Sequence, residues 1–365
     1  MKKSILPLFF IFIAILSLAC SKEENDPAGS NPGNTGGNET WLIPADQVFN
    51  GGPGKDGIPS IDAPQFSPPA SIDGIGFLTP NDLIIGVKVG DEVRGYPHPI
   101  MDWHEIVNDE VDSLPLAITY CPLTGTAIGW QRVLNGNTTT FGVSGLLYNT
   151  NLMPYDRATN SVWSQMLLTS VNGTEIGTEI ETYPLIETTW EHWKNLYPES
   201  KVLDVRTGFN RSYGQYPYGD YKTNQSLLLF PVENEDSRLP AKERGLGVSV
   251  GAQSRFYRFQ HFTGGEVVAH NDELNGTDII VAGSSSRNFL VAYNAEVEPG
   301  VVLNFSPVEG QGKIIMKDEQ GNSWTIFGEA VEGPYEGQRL KPLTSYIGMW
   351  FAWAAFHPEI EVFQP

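Results

Sequence analysis

The chain has 365 residues, of which 40% are apolar and 11% aromatic, enough to build a substantial core and to exclude disorder of the whole chain. With 38 Gly and 26 Pro it is too rich in turn formers for a helical bundle. The 43 acidic and 23 basic side chains leave a formal charge of −20. That balance excludes a sequence-independent nucleic-acid binder, which needs a basic face to displace counterions.

In chain order, the first element is a targeting segment. Lys2 and Lys3 precede an apolar run from Ile5 to Ala19, and Cys20 follows. A basic start, an apolar stretch shorter than a membrane span and a small residue before the cysteine read as a secretory signal over residues 1–19. Leu18-Ala19-Cys20 is similar to a lipoprotein signal, with Ser17 rather than Leu third before the cysteine, so Cys20 is the expected lipidation site. Residues 20–40 are rich in Asn, Gly, Pro and Glu and read as a flexible tether. Ser21-Lys22-Glu23-Glu24 resembles tags that route lipoproteins outward. The expected location is the cell envelope, as an outer-membrane lipoprotein exposed at the surface. The expected partners are the membrane, through the anchor, and a small-molecule or metal ligand, but no nucleic acid.

The remainder is read as an internal duplication. Gly86-Val87-Lys88-Val89-Gly90 recurs as Gly247-Val248-Ser249-Val250-Gly251, and Arg94 and Tyr96 fall on Arg255 and Tyr257 at the same offset. Trp163 falls on Trp324, Asn108-Asp109-Glu110 on Asn271-Asp272-Glu273, and Trp190-Glu191-His192-Trp193 on Trp350-Phe351-Ala352-Trp353. The expected fold class is therefore α+β, strand-dominated, with two pseudo-equivalent halves over 41–205 and 243–365, joined by a connection over 206–242. Leu83–Val89 alternates as a strand, and Leu116–Tyr120 and Ile279–Val281 read as buried strands. Each half ends in an aromatic helix. The first is expected to start with a capping box of Thr188 and Glu191, placing Trp190, Trp193 and Tyr197 on one face.

Features shared by both halves are ascribed to folding, and features of one half are candidates for function. The first half alone has His98, His104 and Cys121, whose counterparts by offset are Phe259, a residue near Val267, and Gly283. Cys121 is expected at the end of a strand, because Pro122 cannot donate to the next ladder bond. A Cys and a His brought together could bind copper or zinc, or form a thiolate–imidazolium pair; a plainly buried structural Cys is the alternative. The metal set is Cys121, His104, His98 and Met101, with copper first. The catalytic set is Cys121, His104, Asp156 and Arg157.

Trp103-His104-Glu105-Ile106-Val107-Asn108-Asp109, Thr119-Tyr120-Cys121-Pro122-Leu123-Thr124-Gly125, Phe141–Asn149, Tyr155-Asp156-Arg157 and Trp350–Pro358 resemble the microbial domain of unknown function 3179. The resemblance covers nearly everything after the tether and implies a fold without an established activity. Many members carry a second Cys where Thr124 stands, so chemistry common to the family would have to need Cys121 alone. The leading reading is an exported, lipid-anchored protein with a Cys121/His104 metal or redox site. The alternatives are a non-enzymatic surface lipoprotein that binds a glycan or small ligand in a Tyr/Trp-lined cleft, and a structural lipoprotein without a site.

Overall fold

The computed structural model describes residues 40–365 apart from 265 and 311. The signal segment, Cys20 and the tether up to residue 39 lie outside the described residues. The chain is strand-dominated, with four short α-helices among the described residues.

The same strand order appears in both halves. Leu83–Val89 and Glu92–Pro97 form a hairpin flanked by Ile186–Thr189 on one side and, in parallel, by Lys201–Leu203 on the other. Arg244–Val250 and Gln253–Arg258 form a second hairpin, flanked by Thr344–Met349 and, again in parallel, by Glu361–Val362. Three-stranded meanders follow each hairpin, over 106–131 and 268–294.

The Gly-Val-x-Val-Gly sequences have one physical cause in both places. A Cβ on Gly86 would lie 2.2 Å from the Trp193 ring, and one on Gly247 2.1 Å from the Trp353 ring, so only glycine lets the terminal helix lie on its hairpin. Gly90 and Gly251 have φ of 54° and 58° and open the two-residue turns that close the hairpins.

The helices Trp190–Leu196 and Trp350–Phe356 are too short to be stable alone and are held by burial of their tryptophans. Trp190, Trp193 and Tyr197 are all buried on one side, as the spacing predicts. The cap differs by one residue. Thr189, not Thr188, is the N-cap and accepts from the His192 amide, while the Thr188 hydroxyl meets His192 Nδ1 at 2.9 Å and donates to the Arg287 carbonyl. Extended backbone persists through Thr189, because that residue still pairs with Leu83.

Two of the apolar clusters cross between the halves. Trp190 and Trp193 pack with Ile280, Phe289 and Trp324, and Trp350 and Trp353 pack with Trp130, Phe141 and Trp163. Each terminal helix thus lies in a cluster shared with the other half. Backbone bonds reinforce the exchange, since Thr189 donates to Arg287 and Met349 donates to Thr124.

Candidate functional site

The site lies where the helix His98–His104, the end of the strand Leu114–Cys121 and the connection meet the start of the second half. Pro97 and Pro99 suit the helix start, where a missing amide hydrogen costs nothing. Glu105 ends the helix at φ 59°, a left-handed conformation unusual for a residue with a side chain. Two backbone bonds hold it there: its amide donates to Met101 and its carbonyl accepts from Tyr120. Strain of this kind persists only where the surroundings over-determine it. Cys121 ends its strand, and the Gly125 amide donates back to the Cys121 carbonyl to form the expected turn.

The structure does not assemble the sequence-predicted sets. Both His104 ring nitrogens are engaged, Nδ1 with the Pro59 carbonyl at 2.7 Å and Nε2 with the Tyr213 hydroxyl at 2.6 Å. Cys121 lies 1% exposed in an apolar cluster, with its thiol directed at the Thr150 carbonyl at 3.8 Å. Burial, with Glu105 nearby, pushes that thiol up to about 11, so it rests as the neutral thiol. Met101 is fully buried among Tyr96, Ile100 and Tyr120. His98 turns away to Glu187. Among the described residues no group of three or more His, Cys, Asp and Glu is placed to hold a metal ion. The set Cys121, His104, His98 and Met101 is dispersed because each member has a packing or hydrogen-bonding partner of its own.

Asp156 and Arg157 are likewise occupied elsewhere. Asp156 is fully buried and accepts from the Thr159 amide and hydroxyl and from the Trp163 indole. Asp318 holds the Trp324 indole in the same way. Arg157 ties Asp56, Asp62 and Ser60 together at the surface.

A different constellation occupies the junction. Glu187 carries the Arg244 guanidinium on Oε1, and Arg244 also reaches Asn288 Oδ1 at 2.8 Å. Glu187 Oε2 lies 2.8 Å from His98 Nε2, but the geometry makes no hydrogen bond, and neither atom has a hydrogen-bond partner. His98 packs on Tyr120, with ring centroids 4.4 Å apart. Burial, Lys222 and Arg244 hold its imidazole well below the ordinary value. Asp102 pairs with Lys222 at 3.0 Å and is raised to about 6 by burial, against the pull of that lysine. Glu105 accepts from the Tyr218 hydroxyl at 3.3 Å. Burial, opposed by that bond and helped by the Asp102 charge, raises Glu105 to about 8.

The connection roofs this cluster. Tyr216 donates to the Pro122 carbonyl, and Lys222 lies over the Tyr216 ring while bonded to Asp102. Tyr216 and Lys222 of the connection therefore lie over the site.

His98, His104 and Cys121 lie around this cluster, whereas the residue types alone did not single out Glu105, Asp102, Glu187, Lys222 and Arg244. One signal was available for Glu187. Glu187 pairs with Ile85 on its strand as Ile347 pairs with Leu246, so the comparison that singled out His98 applies to it too. In the two meanders Cys121 pairs with Thr126 and Ser284 with Phe289, each across a four-residue connection.

Residues 55–360 match the model of a family described as protein of unknown function (DUF3179), and the chain belongs to that family. No curated protein and no solved structure matches it.

Proposed function

We propose that this family member is an exported lipoprotein, anchored at Cys20, whose duplicated fold works through one of its two pseudo-equivalent junctions. At that junction Glu105 donates and accepts protons beside the Cys121 thiol. The duplication is supported by the repeated strand order with its parallel fourth strand, and by Tyr96 and Arg94 on Asp109 recurring as Tyr257 and Arg255 on Asp272. The anchor is supported by Ala19-Cys20 and the tether that follows.

One observation carries the functional reading. His98, Glu187 and Arg244 cluster on one side, whereas Phe259, Ile347 and Leu83 occupy the corresponding positions on the other. Folding alone does not require ions there, because apolar residues do the same packing at the mate. A buried carboxyl poised near neutral pH is suited to general acid–base work.

Two experiments test the proposal. Incubation of the purified protein with an envelope extract, followed by mass spectrometry, should reveal a compound consumed by the parent and spared by Glu105→Gln. Equal consumption by that variant would overturn the acid–base role, and no consumption by the parent would favour binding without chemistry. For the anchor, Cys20→Ser should release the protein from membranes, and a variant that stays bound would place the anchor elsewhere.

A further inference from the structure

We propose that a groove between the two halves binds an alkylammonium ion, with the cationic head at Glu179 and the apolar tail in the cavity behind. The proposal stands apart from the junction reading, because none of Glu105, Cys121, Glu187 and Arg244 lines the groove or that cavity.

Both halves build the groove. It has a volume of about 440 Å³, and Met166, Leu167 and Ile180 of the first half line it together with Ser249, Tyr346 and His357 of the second. A cavity of about 110 Å³ adjoins it, and the two share Leu168, Thr182, Thr344 and Tyr346 as wall. The cavity has room for several water molecules, but Ile128, Pro184, Leu185, Pro342 and Leu343 in its wall offer water few partners. A hydrocarbon tail that takes their place is removed from solvent at little polar cost. The wall is also fixed before anything binds. Tyr346 stacks on Trp353 with ring centroids 4.4 Å apart, and Trp353 on His357 at 4.9 Å. His357 Nδ1 meets the Ser254 hydroxyl at 3.1 Å, and that hydroxyl meets Ser249 Oγ at 2.8 Å. A preorganised wall leaves little ordering cost for the ligand to offset.

Charge selects the head group. Glu179 lines the groove, is exposed, and has no ion-pair partner among the described residues. No lysine or arginine lines either void, and burial holds the His357 imidazole below its ordinary value. At neutral pH the wall therefore carries a negative charge and no positive one. A carboxylate head would be repelled by Glu179, and a neutral head would forgo the ion pair. A primary ammonium pairs with Glu179, and the hydroxyls of Ser249, Thr182 and Thr344 in the same wall are acceptors for its remaining hydrogens.

Saturation-transfer NMR and calorimetric titration of the Cys20→Ser chain with n-hexylamine, n-hexanol and hexanoate test the assignment. The expected result is saturable binding of n-hexylamine, about fivefold tighter than n-hexanol, as one partly exposed ion pair provides, with hexanoate weakest. Glu179→Gln should abolish that preference and leave n-hexanol binding unchanged. From n-butylamine to n-hexylamine each methylene should tighten binding about fourfold, as burial of the tail requires. Thr344→Trp fills the wall common to groove and cavity and should weaken n-hexylamine about tenfold or more. Leu168→Trp fills it from the first half and serves if Thr344→Trp disturbs folding. The site is overturned if n-hexylamine shows no saturable binding, or if both filled variants bind it as the parent does. Equal or tighter binding of n-hexanol or hexanoate overturns the cationic head. A preference that survives Glu179→Gln overturns Glu179 as its partner, and a series that does not tighten with length overturns the buried tail.

Discussion

Glu187 and Ile347 hold the same register on corresponding strands, yet one carries a buried charge bonded to Arg244 and the other packs as plain hydrocarbon. A buried ion pair is not needed for stability, since matched apolar side chains often replace one at no loss. Removing one partner is different, because it strands the other charge in the interior.

The first prediction uses that difference. Arg244→Leu alone leaves Glu187 uncompensated and should destabilise the protein by about 3–5 kcal/mol. Adding Glu187→Ile replaces the buried pair by apolar side chains and should recover most of the loss. Urea unfolding at constant slope measures both. A single Arg244→Leu variant as stable as the parent would show that the pair does not hold the junction.

The second prediction concerns pH. Glu105 is raised from 4.5 to about 8, so the folded protein keeps a proton that the unfolded chain has already released. The associated stability is full below pH 4.5, falls as pH rises toward about 8, and is flat above. Asp102, raised from 3.8 to about 6, adds a similar fall at lower pH. Glu105→Gln keeps a neutral partner for Tyr218 and removes only the first contribution. The variant should therefore gain on the parent by a few kcal/mol between pH 5 and pH 8, since a tenfold change in a proton-binding constant is worth about 1.4 kcal/mol. Parallel pH profiles would mean that Glu105 ionises normally.

The fold was legible wherever one physical demand left its mark twice. The glycines under Trp193 and Trp353, the hairpin turns and the terminal tryptophans all carry packing constraints, and these repeat at a nearly constant offset. The contacts within the candidate site were not legible. His104 and Cys121 were read as partners because both are reactive types that the first half has and the second lacks. Their real partners, Tyr213, Pro59 and Thr150, are set by tertiary contacts that spacing does not encode. Arg244 reaches Glu187 only because the second half is placed against the first.

The third prediction concerns Asp156. Its carboxylate caps the Thr159 turn and holds the Trp163 indole, as Asp318 caps Asn322 and holds Trp324. Removing a buried acceptor from several donors costs about 1–3 kcal/mol for each group left unpaired. Asp156→Ala and Asp318→Ala should both lower the urea midpoint, by amounts within a factor of two of each other. A catalytic Asp156 would instead leave the midpoint nearly unchanged while abolishing turnover.

The last prediction concerns the Cys121 thiol. It is enclosed by apolar side chains and by the connection, and burial with Glu105 pushes it up to about 11. Thiol reagents attack the thiolate, which at pH 7 is then roughly one part in ten thousand. In native buffer the thiol should stay unmodified by an aromatic disulfide reagent for hours, and it should react at once in denaturing urea. Lys222→Met breaks the pair with Asp102 and loosens the roof without touching the thiol's own contacts, so it should speed modification below the unfolding transition. If the native parent reacts as fast as a free cysteine, the thiol is open to solvent and the enclosed site is wrong. If Lys222→Met accelerates modification only in step with global unfolding, the connection does not open by itself.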